Sequence, residues 1–243
     1  MECLNKETFV KTDEFNKIWF NNSCVSGEKY YNSFLSLIII SIPYILLISI
    51  IISCKKNIPI ICPLIISSLL YICELISIIF ASCSDPGILH KQERDYSKRP
   101  NKYYIKQIIN GHLYELSYCH SCLLFRPPRA IHCQLCDNCI LRFDHHCNWI
   151  GQCIGQKNYR GFYLLVLSLF FSTLFYIIYS LYYIIYQAKN AKNKEKYNKV
   201  ILYGLSANIL YNILVMTFVG RLFITHTYLQ LYNKTFFEYI YEK

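Results

Sequence analysis

The chain has 243 residues, of which 54% are hydrophobic and 16% are charged, and its net charge is +10. Apolar residues gathered in long uncharged blocks argue against a small soluble domain, whose helices keep a polar face. The net positive charge suits binding to anionic lipid headgroups or to a polyanionic substrate, and does not by itself indicate nucleic-acid binding.

Four apolar blocks have the length, ~20 residues, that a helix needs to cross a bilayer. They are residues 34–54, 58–83, 162–186 and 200–220. The first block begins too late and is too long to be a cleaved signal peptide. The second block contains one acid, Glu74. Ionisable groups at membrane depth often mark function, but we interpret Glu74 as one half of a buried hydrogen bond between spans.

The blocks divide the chain into five parts. These are an N-terminal segment (1–33), two spans (34–83), a polar segment (84–161), two more spans (162–220) and a short tail (221–243). An even number of spans places both termini and the polar segment on one side of the membrane. That side carries 18 Lys and Arg residues and the other carries 7, so the positive-inside rule places the polar segment in the cytosol.

The polar segment is rich in cysteine. Of the 13 cysteines in the chain, seven fall in a 35-residue window, namely Cys119, Cys122, Cys133, Cys136, Cys139, Cys147 and Cys153. In a reducing compartment, Cys-x-x-Cys spacing indicates zinc rather than disulfides. The sequence therefore predicts an all-α integral membrane protein, with four transmembrane helices and a small cytosolic zinc-bound cysteine-rich domain between helices 2 and 3.

The spacing of the candidate ligands favours two interleaved zinc sites. Structural zinc takes four Cys or His ligands in a tetrahedron. Adjacent side chains diverge, so His132 and Cys133 should serve different ions. The simplest arrangement has Cys119, Cys122, His132 and Cys139 on one ion and Cys133, Cys136, His146 and Cys153 on the other. The alternatives are a single zinc ion with spare thiols, or two sites filled by seven cysteines and one histidine.

The stretch "FDHHCNW", residues 143–149, joins zinc chemistry to a second kind of site. A cysteine must become a thiolate to act as a nucleophile, and an imidazole oriented by a carboxylate can take its proton. This predicts that Asp144 orients His145, that His145 is the base, that His146 holds zinc and that Cys147 attacks.

The order of motifs in this window is specific. Its first half reads Cys119-x2-Cys122-x3-Arg126-Pro127-x-Arg129-x2-His132-Cys133-x2-Cys136-x2-Cys139, and its second half reads Asp144-His145-His146-Cys147-x5-Cys153-x4-Asn158-x3-Phe162. This pattern resembles the cysteine-rich domain of the DHHC-type protein S-acyltransferases, or palmitoyltransferases. "DPG" at 85–87 looks like a second motif of that family, and the likeness covers roughly residues 30 to 238.

The resemblance implies an activity and its participants. Two structural zinc ions would hold the domain, and Cys147 would carry an acyl group from palmitoyl-CoA or another long-chain acyl-CoA to cysteines of membrane-associated proteins. The site would face the cytosol from an endomembrane such as the Golgi or ER, with no nucleic-acid partner. The alternative is a non-catalytic zinc-bound membrane scaffold or subunit of the same fold.

Three further residues are candidates for contact with acyl-CoA. The CoA phosphates need cations, and the guanidinium groups of Arg126 and Arg129 suit them. The alternative is that these charges face lipid headgroups. Trp149 is predicted to wall the thioester, or else to anchor the chain at the membrane interface.

The C-terminal part of the chain departs from the family pattern. The family has Thr-Thr-x-Glu after the last span, and here the corresponding residues are "TFFE", 235–238, with Phe236 in place of the second Thr. The chain ends at Lys243 without a further C-terminal element that packs on the active-site domain. We therefore expect weaker support around the site, or support from a partner subunit.

Overall fold

The structure is a computed structural model that describes residues 16–19, 24–53, 61–92, 103–191 and 199–241. These residues form two compact units. One unit comprises 34–79 and 161–232, and the other comprises 1–33, 80–160 and 233–243. The described residues at 16–19, 24–33 and 233–241 therefore belong to the same unit as the cysteine-rich segment.

Four helices have the length and composition needed to cross a membrane. They are α1 (Tyr31–Ser53), α2 (Ile61–Cys83), α3 (Tyr159–Ala191) and α4 (Lys199–Leu231). The predicted four-span fold is confirmed, but α4 continues past its predicted end at residue 220. Arg221 is a single charge with good helix propensity, and the residues after it contain neither Gly nor Pro to stop the helix.

The helical unit buries polar groups among its apolar side chains. Its cores include Leu47, Ile50, Ile51, Tyr176, Tyr183 and Leu205. Glu74 on α2 is only 1% exposed, and the Ser172 hydroxyl on α3 donates a hydrogen bond to its carboxylate. The predicted hydrogen bond between spans is confirmed, as expected for a polar group whose burial is costly without a partner.

The other unit is built from short antiparallel strands and one short helix. The strands are β1 (Asn16–Trp19), β2 (Cys24–Gly27), β3 (Ile88–Leu89), β4 (Tyr104–Ile109), β5 (His112–Cys119), β6 (Leu124–Phe125), β7 (Ile131–Cys133), β8 (Asn138–Ile140), β9 (His145–Cys147) and β10 (Gln152–Ile154), and the helix is α5 (Phe236–Tyr241). They form four small sheets, with the orders β1-β2, β3-β8-β7, β4-β5-β6 and β10-β9. Segments this short cannot bury a large apolar surface by themselves.

Cysteines supply much of the buried interior of this unit. One cluster consists of Cys119, Cys122 and Cys139, and another of Cys133, Cys136, Ile140, Phe143 and Cys153. An interior made largely of thiols provides little hydrophobic stabilisation compared with one made of Leu or Phe. The unit therefore depends on what those thiols bind.

The "DPG" motif joins the end of α2 to the cysteine-rich strands. Asp85 Oδ1 accepts hydrogen bonds from the backbone N–H groups of Gly87 and Ile88, at 2.8 and 2.9 Å. Gly87 has a φ of +105°, which favours glycine. Its carbonyl accepts a hydrogen bond from Leu141 N at 2.9 Å. The motif thus makes a turn that carries β3 onto β8.

Candidate active site and metal centres

The two-residue period of strand β7 separates adjacent ligand candidates. Successive side chains of a strand point to opposite faces, so His132 and Cys133 diverge. His132 pairs across the sheet with Cys139 on β8. The β7–β8 hairpin therefore directs ligands to two different places, which is the physical basis of the interleaving.

The first metal centre contains Cys119, Cys122, His132 and Cys139. Cys119 and Cys122 come from the turn between β5 and β6, in which Leu123 N donates to Cys119 O at 2.8 Å. Nδ1 of His132 lies 3.4 Å from the Cys122 sulfur and 3.8 Å from the Cys139 sulfur.

The second metal centre contains Cys133, Cys136, His146 and Cys153. Cys133 and Cys136 flank the turn between β7 and β8, and His146 pairs with Cys153 across β9 and β10. Nδ1 of His146 lies 3.7, 3.3 and 3.7 Å from the sulfurs of Cys133, Cys136 and Cys153. The sulfurs of Cys136 and Cys153 are 3.4 Å apart.

These distances fit a tetrahedral ion bound by sulfur and nitrogen. With bonds of about 2.3 Å to sulfur and 2.0–2.1 Å to nitrogen, the edges of the tetrahedron are about 3.6–3.8 Å long. In each centre the four ligand atoms lie within 4.8 Å of one another. The described residues thus contain two four-ligand clusters of Cys and His able to hold a metal, with the membership expected from the sequence.

Asp137 is a neighbour of the first centre that sequence reasoning missed. Its Oδ1 lies 3.6 Å from Nε2 of His132, and its other oxygen accepts a hydrogen bond from Lys91. A carboxylate behind a ligating imidazole favours the tautomer whose opposite nitrogen faces the metal. The signal was an acid between Cys136 and Cys139.

Strand β9 divides the row of polar residues into two faces. His146 occupies the face of the second metal centre, so its neighbours His145 and Cys147 occupy the opposite face. Cys147 belongs to neither metal cluster and pairs with Gln152 on β10. The alternation leaves a cysteine and a histidine together beside the metal centre but outside it.

Asp144 completes this arrangement. It is 1% exposed, and its Oδ2 accepts a hydrogen bond from Nδ1 of His145 at 2.7 Å. Burial lowers the pKa of the His145 imidazole, but its hydrogen bonds to Asp144 and Cys147 outweigh burial and raise the pKa to about 9. The three side chains form the carboxylate, imidazole and thiol series typical of activated cysteine nucleophiles.

The C-terminal segment supports this site directly. Phe236 N donates to Asp144 Oδ1 at 2.9 Å, so each oxygen of that buried carboxylate has a partner. The Phe236 ring packs edge-on against His145, with centroids 6.1 Å apart. Within the segment, Thr235 N donates to Glu238 Oε2 at 2.8 Å. The departure at position 236 leaves this contact in place, because a backbone N–H makes it and no particular side chain at position 236 is needed.

Arg129 connects the same segment to the domain. Its guanidinium donates to Glu238 Oε2 at 2.6 Å and to the Asn233 carbonyl at 2.9 Å. Burial raises the pKa of the Glu238 carboxyl, but hydrogen bonds from Arg129 and Thr235 outweigh this and lower it. Arg129 thus has an internal partner that competes with its predicted role toward CoA phosphate.

The other two predicted CoA contacts differ in their surroundings. Arg126 donates to the Ser117 hydroxyl at 2.5 Å, and among the described residues its buried Nε has no hydrogen-bond partner. Trp149 lies in the turn after Cys147 and is 51% exposed. Asn158 braces the domain, since its amide donates to the carbonyls of Ala81 and Cys153 at 3.2 and 2.9 Å.

Comparison with known proteins identifies relatives of this arrangement. Residues 112–243 match the family model described as DHHC palmitoyltransferase. The chain is 37% identical over 183 residues to "Probable protein S-acyltransferase 6" of Arabidopsis thaliana, and the match covers 68% of this chain and 44% of the relative.

Two animal relatives match a shorter region. Human "Palmitoyltransferase ZDHHC14" is 41% identical over 127 residues, which cover 45% of this chain and 26% of the relative. "Palmitoyltransferase ZDHHC9" of Pongo abelii is 36% identical over 132 residues, which cover 47% of this chain and 36% of the relative. The chain thus spans less than half the length of these relatives.

Proposed function

Since the chain belongs to the DHHC palmitoyltransferase family, we propose that it is a protein S-acyltransferase. It transfers a long-chain acyl group from acyl-CoA, such as palmitoyl-CoA, to cysteine thiols of membrane-associated proteins. The observation that carries this proposal is the position of Cys147 on the face of β9 opposite the metal centre, with His145 beside it and Asp144 behind that imidazole.

The first step acylates the enzyme. The Cys147 sulfur forms a bond to the acyl carbonyl carbon, and the bond from that carbon to the CoA sulfur breaks. An imidazole with a pKa of about 9 is protonated at neutral pH, so His145 holds the proton taken from Cys147 and stabilises the thiolate. The same proton then passes to the departing CoA sulfur.

The second step regenerates the thiol. A substrate cysteine gives its proton to His145, and its sulfur bonds to the acyl carbon as the bond from that carbon to the Cys147 sulfur breaks. The proton then passes from His145 to the departing Cys147 sulfur. Both steps are thioester exchanges with little net free-energy change. Catalysis therefore consists of positioning, thiolate formation and stabilisation of the oxyanion.

The two Cys and His clusters hold structural zinc ions in this proposal. Mixed thiolate and imidazole ligands in a tetrahedron favour zinc over hard cations. Each cluster uses four protein ligands, so neither has an open position for substrate. Zinc here supplies folding free energy to a unit with little apolar interior, and it fixes His146 beside the nucleophile.

The membrane and the acyl donor complete the proposal. The chain is a multi-pass endomembrane protein, of the Golgi or ER, whose site faces the cytosol, and the acyl chain lies among the helices. The CoA phosphates bind at Arg126 or Arg129, or at other cations near the site, and Trp149 walls the thioester. A partner subunit would add to the contacts that residues 235–238 make around the site.

The test uses the full chain, purified and incubated with labelled palmitoyl-CoA. We expect hydroxylamine-sensitive label on Cys147, which Cys147→Ala abolishes without loss of zinc. Cys62→Ala is the matched control, because Cys62 is exposed on α2 and outside both clusters. A folded, zinc-loaded chain that takes no label would instead support the non-catalytic scaffold.

A further inference from the structure

The segment before α1 is an ordered part of the cysteine-rich unit. Strands β1 and β2 pair in antiparallel register, from Asn16 opposite Gly27 to Trp19 opposite Cys24. All four residues of β2 are buried. A polar N-terminal segment has no reason to be buried unless it packs against a partner surface, and β2 contacts β10.

The contact brings two backbones together at a pair of glycines. A Cβ atom on Gly27 would lie 2.2 Å from the Gly151 carbonyl oxygen, and one on Gly151 would lie 2.1 Å from the Lys29 carbonyl oxygen. Cβ atoms essentially never come within 3.0 Å of another heavy atom. Neither position therefore accepts a side chain without displacement of the other segment.

A hydrogen bond from the first turn of α1 holds the same turn. The Asn32 side-chain amide donates to the Asn148 carbonyl at 2.8 Å. Gly151 N closes this turn by donating to the Cys147 carbonyl, also at 2.8 Å. Asn32 thus contacts the first residue of the turn of residues 148–151, and Gly27 contacts its last residue.

We propose that Gly27 and Asn32 are positioning residues for the Cys147 nucleophile. The turn they hold begins at the residue after Cys147 and carries Trp149, so its orientation sets the position of the sulfur relative to an acyl thioester. This inference rests on the proposed function. Small displacements of reacting groups carry large kinetic costs.

Hydrogen–deuterium exchange tests the structural part without any substrate. Gly27→Ala and Asn32→Asp should speed amide exchange in peptides covering 148–152 and leave exchange in 119–139 unchanged. Asn32→Asp keeps the size of the side chain, removes the donor and places a carboxylate against the Asn148 carbonyl. Gly220→Ala is the matched control, because a Cβ at Gly220 meets nothing within 4 Å.

Kinetics of self-acylation test the functional part on the same full-length variants. We expect the maximal rate to fall by about 10- to 100-fold, with zinc content and the KM for palmitoyl-CoA unchanged. A role in general stability alone would lower zinc content or the amount of active protein, so the maximal rate is expressed per active chain, counted from the total label that Cys147 takes at completion.

Several results would overturn the inference. The first is that amide exchange and self-acylation rates in both variants equal those of Gly220→Ala. The second is that only the KM for palmitoyl-CoA changes while the maximal rate stays the same. If Gly27→Ala fails to fold, Asn32→Asp decides the matter. If the unsubstituted chain takes no label from palmitoyl-CoA, the proposed function fails. Separately, unchanged amide exchange at 148–152 in the variants would refute the contact of Gly27 and Asn32 with this turn.

Discussion

His145 lies between a buried carboxylate and a thiol, and its protonation links the two. Its Nδ1 donates to Asp144, and hydrogen bonding to Asp144 and Cys147 raises its pKa against the effect of burial. His146, the next residue, faces three sulfurs. We therefore expect two side chains of identical chemistry to have different tasks, because consecutive residues of a strand face opposite sides.

Substituting each histidine in turn should separate these tasks. His146→Ala should lower zinc content and thermal stability, and activity should be lost as a consequence. His145→Ala should retain zinc and fold but slow self-acylation by about 10²–10⁴-fold, as for a typical general base. Elemental analysis with rate measurements checks both. Loss of metal in His145→Ala with retention in His146→Ala would mean that the roles are exchanged.

The pH profile should report the carboxylate behind the imidazole. Self-acylation needs the His145 imidazolium to protonate the CoA sulfur, so the rate should decline above about pH 9, where His145 loses its proton. Asp144→Asn removes a group that raises this pKa while burial continues to lower it. The declining limb should therefore move to lower pH.

Rates measured from pH 6 to 10 show this shift. Glu115→Gln is the control, since Glu115 is an exposed carboxylate on β5. An Asp144→Asn profile that declines at the same pH as the unsubstituted chain would exclude this carboxylate as the cause.

At the scale of elements, the contact between the C-terminal segment and the domain includes one ion pair. Arg129 and Glu238 are 31% and 18% exposed in their side chains, and they share two hydrogen bonds. Partial burial makes such a pair more stabilising than a surface pair, although solvent still screens it.

Glu238→Gln should destabilise the cysteine-rich unit by about 1–2 kcal/mol, because a charge-assisted hydrogen bond is lost. The folded-state pKa of Glu238 is lowered. Its contribution is therefore present above the unfolded pKa of about 4.3 and lost as pH falls through the folded-state value. Thermal unfolding from pH 3 to 7 should show the variant and the parent converging at the acid end.

Glu28→Gln is the comparison for this experiment, because Glu28 is exposed in the turn after β2. A difference between Glu238→Gln and the parent that persists unchanged at pH 3 would assign the effect to packing rather than to charge.

The elements show which contacts local sequence can predict. The membership of both metal clusters followed from spacing because turns and strand alternation act over a few residues. The contacts of Phe236 with Asp144 and of Gly27 with Gly151 join residues that are far apart in sequence. No local pattern encodes them, since a backbone N–H or a missing Cβ leaves no distinctive side chain to notice.

At the scale of the whole molecule, four apolar helices and an excess of Lys and Arg in the polar segments and tail predict the orientation. That excess, 18 residues against 7, predicts that both termini and residues 84–161 face the cytosol.

Glycosylation acceptors inserted in residues 187–199 should be modified in the ER, and acceptors added to the tail should not. Removal of the glycans with an endoglycosidase confirms each mobility shift. The reverse pattern would overturn the orientation, and with it the argument that the cysteines remain reduced.

The β7–β8 hairpin gives two ligands to each metal centre, so the two binding equilibria are linked. The first ion to bind closes a loop and fixes the register of the hairpin. The ligands of the second site are then already partly ordered, so binding of the second ion loses less conformational entropy. We therefore expect cooperative loading, with the singly loaded domain as the scarcest species during assembly. Loss of either ion should likewise weaken retention of the other, so that the domain passes between empty and full with little in between.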